Sequence, residues 1–266
     1  MYFFVKTKDK FIWGLFVFHT NICYLIGNNI IIFSMNISER SKHILWLDHY
    51  GQENIPEEVC SMDLNVPQDK QYVLRCLIRD TFSGFQIPES LLWCKPLIDA
   101  AEKYQRDNVG IRHSFCYLTV RSWVVESVTD DEWHVDWFAQ RINHIPEQNY
   151  TWTDHTPTEF VAQDIVFPED FDWDKHNIHR YIQDNISDES EIQSCKEKTL
   201  YCMDPYVIHR RPNVTQGTQR TFVRISFLPI EINDINNTQN PLLPREYTRD
   251  WVTSFRDKLL RYVPNK

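Results

Sequence analysis

The chain has 266 residues, 42% apolar and 14% aromatic, enough for a sizeable core and near the upper size of one domain. Its 37 acidic residues exceed its 28 Lys and Arg by a net charge of −9, so no basic patch announces a nucleic-acid backbone as partner. Seven scattered cysteines with no Cys-x-x-Cys pair suggest neither a zinc ribbon nor a disulfide framework; reduced thiols in a cytoplasmic protein are expected.

Along the chain, Lys6, Lys8 and Lys10 precede an apolar run from Phe11 to Phe33, interrupted by His19, Thr20, Asn21, Asn28 and Asn29. That run is long enough to cross a bilayer. Residues 1–34 are therefore an apolar extension, read as an over-extended start, a membrane anchor or a genuine folded part. Residues 35–266 are expected to form one domain, because six glycines provide no flexible linker.

Residues 61–108 read as helical. Tyr72, Val73, Cys76 and Leu77 follow helical spacing, and Pro88-Glu89 resembles a first turn before the stripe Leu91, Leu92, Leu97, Ile98, Ala101 and Tyr104. After Gly110 aromatic and β-branched residues take over, and strands are expected at 115–125, 150–153, 158–162, 199–203, 206–209 and 220–227. The polar stretch 164–198 reads as an inserted loop with a short helix, either a lid or an ordinary insertion. Residues 246–262 read as an amphipathic helix. The sum is a mainly β protein with flanking helices, a sandwich or barrel of short strands.

The chemistry concentrates around His134-x-Asp136. On a strand, positions i and i+2 share a face, so an imidazole and a carboxylate can meet one ion. A second histidine, His209, ends the apolar strand in PYVIHRRP. Two histidines and one carboxylate with open positions suit non-haem Fe(II) oxygen chemistry. Eleven residues after His209, Arg220 opens RTFVRISF, where Arg220, Phe222, Arg224 and Ser226 share a face. Two arginines in so apolar a strand are costly if unpaired, and an anion between them and a metal removes that cost. Other polar pairs carry less: His176 and His179 read as an exposed helix face, and His144 and His155 as solvated loop residues.

His134-x-Asp136, His209 and Arg220, in that order and strand context, resemble the Fe(II)/2-oxoglutarate-dependent oxygenase superfamily. The similarity is to its taurine dioxygenase and phytanoyl-CoA hydroxylase branches and covers roughly residues 110–230, including Pro157-Thr158-Glu159-Phe160-Val161. The resemblance implies a double-stranded β-helix, or jelly roll, about 110–230. It implies iron held by His134, Asp136 and His209, and 2-oxoglutarate held through its distal carboxylate by Arg220. Arg224 matches a second arginine that faces co-substrate or substrate in some members, and Tyr150 and Thr158 are candidates to assist Arg220. Trp137 and Arg141 are candidates for the substrate side. The implied activity is hydroxylation of an unidentified substrate, coupled to conversion of 2-oxoglutarate and O2 to succinate and CO2. Where that family often shows a Pro-Gly-Ser-His turn, Ala162-Gln163-Asp164 and the insertion follow instead. The acidic balance favours a small-molecule substrate over nucleic acid and leaves a peptide or protein open; a membrane partner requires residues 1–34 to be an anchor. The alternatives are a non-catalytic jelly-roll binding module and a cupin-type metalloprotein without co-substrate.

Overall fold

The computed structural model describes residues 55–109, 113–125, 132–136, 147–163, 165, 179–186, 192–203, 207–213, 215–229 and 231–248, and the backbone alone of Ile178 and of three N-terminal strands. Those three are β1 (Leu15–Phe18), β2 (Asn21–Ile26) and β3 (Asn29–Ser34), an antiparallel meander. The apolar run expected as a candidate membrane helix is thus partly strand. Among the described residues no helix is long and apolar enough to cross a membrane.

Nine further strands follow: β4 (Glu57–Ser61), β5 (Gln71–Arg79), β6 (Phe115–Val124), β7 (Gln148–Thr153), β8 (Glu159–Val161), β9 (Ile192–Ser194), β10 (Thr199–Met203), β11 (Ile208–Arg210) and β12 (Gln219–Leu228). They form a six-stranded sheet in the order β4-β10-β7-β12-β6-β5 and a three-stranded sheet in the order β11-β8-β9. Every pairing is antiparallel. From β7 onwards the chain visits the large sheet, then the small one for β8 and β9, the large one for β10, the small one for β11 and the large one for β12. The protein is therefore mainly β with short helices, as expected.

Residues 71–79 form a strand where a helix was expected. The register slips between Val73 and Cys76 and again between Leu77 and Arg79. Each bulge breaks the alternation of period two, so the apolar positions fall at spacings that mimic a helix. Arg75, at positive φ of 43°, sits inside the first slip and donates to Asp234 at 2.5 Å, with both side chains buried.

The expected helical stripe is real farther on. A 3-10 turn, Glu89–Cys94, runs into α1 (Lys95–Tyr104). Pro96 in its first turn needs no N–H partner, and Leu97, Ile98 and Ala101 turn inward. They pack on Ile78, Leu118, Trp152, Val223, Ile225 and Phe227 from one face of the large sheet. Burying each large apolar side chain contributes about 1.5–3 kcal/mol, which pins this face and leaves the other free for polar residues. On that other face Tyr201 and Met203 of β10 meet Phe160 of β8 and Val207. The small sheet covers its own outer face with α2 (Ile178–Asn185), whose Ile182 is buried among Trp133, Val135, Val161 and Ile208. The C-terminal helix expected at 246–262 lies almost wholly outside the described residues.

Candidate functional site

Residues 132–136 run extended against β11. His134 and His209 face each other as an antiparallel pair, the His134 N–H donating to the His209 carbonyl at 3.0 Å and the His209 N–H returning the bond at 2.9 Å. Opposed residues project side chains to one side, and the ring centroids stand 4.4 Å apart. Each ring is fixed by a carbonyl two residues upstream: His134 Nδ1 lies 2.9 Å from the Glu132 oxygen and His209 Nδ1 lies 2.8 Å from the Val207 oxygen. A carbonyl only accepts, so both Nδ1 atoms carry a proton, and in the neutral form of either ring it is Nε2 that keeps a lone pair. Burial, and after it the neighbouring His134, pushes the His209 pKa down to about 4. His209 is therefore neutral near pH 7, in the tautomer a metal-ligating imidazole needs.

Asp136, 8% exposed, lies two residues beyond His134 and so on its face. Its Oδ1 accepts from Arg224 Nη1 at 2.8 Å and its Oδ2 from Asn149 Nδ2 at 2.5 Å, while Asn149 Oδ1 accepts from the Ser226 hydroxyl at 2.5 Å. Burial opposes the charge on Asp136, but Arg224 and then the two histidines outweigh it and hold the carboxyl below its usual pKa. Asn149 and Ser226 are register partners on β7 and β12, as are Thr151 and Arg224. Period two on two adjacent central strands thus delivers this network to one face. The buried Arg224 Nε finds no acceptor among the described residues.

Beside Asp136 lies Glu147, 3% exposed, whose Oε2 also lacks a partner among the described residues. Burial, then the Asp136 charge, raises its pKa to about 8, so it is mostly protonated near pH 7.

Arg220 lies four residues from Arg224 on the same face of β12. Its Nε donates to the Thr156 carbonyl at 3.0 Å, and its guanidinium lies 5.5 Å from the Phe222 ring centre. Burial first, then the charge of Arg211, lowers its pKa to about 10, with Asp154 opposing. Arg211 and Arg121 add positive charge around it. This end of the face favours an anion.

The structure brings His134, Asp136 and His209 to one place, and Arg220 and Arg224 to one strand face. Tyr150 does not join them. It points to the opposite face, fully buried with the α1 core, and its hydroxyl donates to Gln105 Oε1 at 2.8 Å. Asn149, Thr151 and Thr153 take the site face of β7 instead. Thr158 is buried just before β8, on the side of Phe160 by alternation. Trp137 and Arg141 lie outside the described residues. His155 is exposed, 3.7 Å from Glu197. His179 departs from its expected place on an exposed helix face: its ring lies 5.8 Å from that of His134. Burial, followed by His134, lowers its pKa to about 4. The helical spacing of His176 and His179 marked the residue without revealing its neighbour. Among the described residues no group of three or more His, Cys, Asp or Glu side chains stands in a ready ligand arrangement, and Asp136 has both oxygens on Arg224 and Asn149.

No family model and no curated protein matches the chain. Among solved structures it is similar to EvdMO1, at 15% identity over 65% of this chain and 39% of that one, with a TM-score of 0.33. It is also similar to AviO1 from Streptomyces viridochromogenes Tue57, at 16% identity over 69% of this chain and 76% of that one, with a TM-score of 0.30. The chain thus spans well under half of EvdMO1, and likenesses this distant carry no argument about activity.

Proposed function

We propose that the chain is an Fe(II)- and 2-oxoglutarate-dependent dioxygenase with a double-stranded β-helix core. The fold reading rests on the strand order: the segment at His134 flanks β11-β8-β9, opposite β10-β7-β12-β6, and from β7 onwards the chain crosses between the sheets at every step except β8 to β9. The observation that carries the function is the paired imidazoles. Both donate Nδ1–H to fixed carbonyls, leaving two Nε2 lone pairs on one side, with Asp136 two residues beyond.

The residues fit an iron ion chemically. Two neutral imidazoles and one carboxylate form the facial set that non-haem Fe(II) takes. Each Asp136 oxygen accepts one hydrogen bond and retains a further lone pair. Bound iron would supply the O2 chemistry that the side chains lack. Around it, Arg220 would take the distal carboxylate of 2-oxoglutarate as a charge-assisted pair, which relieves its crowding by Arg211 and Arg121. Arg224 would hold Asp136 in place and offer its Nε, which has no acceptor among the described residues, to an anionic oxygen. The overall change consumes a substrate C–H, 2-oxoglutarate and O2 and gives the alcohol, succinate and CO2. A small molecule is the preferred substrate class, given the net charge of −9.

The test is succinate release from 2-oxoglutarate by chain loaded anaerobically with Fe(II), then exposed to O2. Release above the metal-free control is expected, and Arg220→Ala should raise the 2-oxoglutarate concentration needed by at least about tenfold. Unchanged 2-oxoglutarate dependence in Arg220→Ala would remove that residue from the site. A second reading, a binding module without turnover, draws on the Asp136 carboxylate being held by Arg224 and Asn149; it predicts no Fe(II) uptake and no succinate.

A further inference from the structure

The segment carrying His134 has two edges. On one edge the N–H and C=O of His134 pair with His209. The N–H of Trp133 and the C=O of Val135 alternate to the other edge, where a neighbouring strand would satisfy them. No strand lies there among the described residues. The Trp133 N–H instead donates to Gln183 Oε1 at 3.1 Å, and the Val135 carbonyl accepts from the His179 ring. His179 and Gln183 are four apart on α2 and so share a face. Ile182, fully buried between them, packs on Trp133 and Val135. The helix belongs to the insertion between β8 and β9, more than forty residues away in sequence, and its C-terminal end is tied back to the residues after β8, where Gln163 Nε2 donates to the Asn185 carbonyl at 2.7 Å.

We propose that α2 is a positioning element for the ligand segment: His179 and Gln183 replace a missing strand on the open edge of residues 133–135 and so set where His134 and Asp136 stand. This rests on the reading of those two residues as metal ligands. An unpaired edge N–H and C=O would otherwise leave Trp133–Val135 held by one residue pair, free to rotate the His134 side chain away from His209. The helix is then part of the support of the metal site.

The experiment is titration of the full chain with Co(II), followed by its visible absorbance, beside residue-resolved hydrogen exchange at the Trp133 amide. His179→Ala and Gln183→Ala are each expected to weaken Co(II) binding by about tenfold or more, and Gln183→Ala to unprotect the Trp133 amide. Asp184→Ala, exposed on the same helix, should change neither. His179→Gln, which retains an N–H donor, should recover most of the affinity; a loss as large as in His179→Ala would make His179 a ligand and overturn the positioning role. Parent-like Co(II) affinity in folded His179→Ala and Gln183→Ala overturns the proposal while leaving the metal site standing. A parent chain that binds no Co(II) overturns the iron reading instead; persistent Trp133 protection in Gln183→Ala then removes the clamp as well, and its loss keeps the clamp.

Discussion

Asp136 and Glu147 show how two buried carboxyl groups in one site are driven to opposite charge states. Asp136 has Arg224 at 2.8 Å and stays ionised; Glu147 has no such pair among the described residues and keeps its proton near pH 7. Replacing Arg224 by Met leaves Asp136 as an uncompensated, mostly buried charge. A loss of about 2–4 kcal/mol in urea denaturation is expected; a parent-like midpoint would mean the pair contributes no net stability. Glu147 makes stability depend on pH in the other sense. Its folded pKa of about 8 exceeds the ordinary 4.5, so between those values the folded chain holds a proton that the unfolded chain has released. Its contribution is full below 4.5 and is lost as pH rises through about 8. Glu147→Gln is neutral throughout, so its stability advantage over the parent should grow from pH 5 to pH 8. A constant difference in urea midpoint would contradict the buried, protonated state. Much of the site was legible at this scale. His134, Asp136, Arg220 and Arg224 announce themselves by residue type and period two. Alternation also separates Tyr150 from Asn149 and Thr151, but only packing decides which set faces the core, and Tyr150 follows α1. Glu147 gives no sequence signal, because the charges that act on it, Asp136 and Arg224, come from other parts of the chain.

Among the elements, β10 stands at the expected 199–203, and β6 and β12, whose ten-residue pairing is unbroken, lie within one residue of their expected bounds. The least faithful is β5, where two register slips scramble the pattern. β9 escaped notice because three residues, of which Gln193 and Ser194 are exposed, carry no periodicity. As an edge strand β5 needs cover, and the chain after β12 supplies it. The Thr238 N–H donates to the Leu74 carbonyl at 2.7 Å, its hydroxyl accepts from the Leu74 N–H at 2.9 Å, and Asn240 Nδ2 donates to the Leu77 and Gln86 carbonyls at 2.7 and 2.8 Å. Asn240 is 1% exposed, so Asn240→Ala strands two carbonyls from their donor. A loss of about 1–3 kcal/mol is expected, with a lower thermal midpoint and faster exchange at the β5 edge. An unchanged midpoint would mean water replaces the amide at no cost.

At the scale of the whole molecule, two sheets divide the labour. The large sheet buries one face under α1 and turns its other, polar face to the small sheet. That second face carries Arg220, Arg224 and Asn149, while the small sheet contributes His209 and, through its paired segment, His134 and Asp136. Candidate ligands and candidate anion-binding arginines therefore stand on opposite layers, and a co-substrate bridging them would join the layers it binds. The measurement that bears most directly on the proposed iron site is anaerobic equilibrium dialysis against Fe(II), with and without 2-oxoglutarate. One tightly held Fe(II) per chain is expected, retained in Arg220→Ala and lost when His209 and Asp136 are both replaced by Ala. No tightly held iron in the parent, or the same uptake in the His209→Ala, Asp136→Ala double variant, would contradict it.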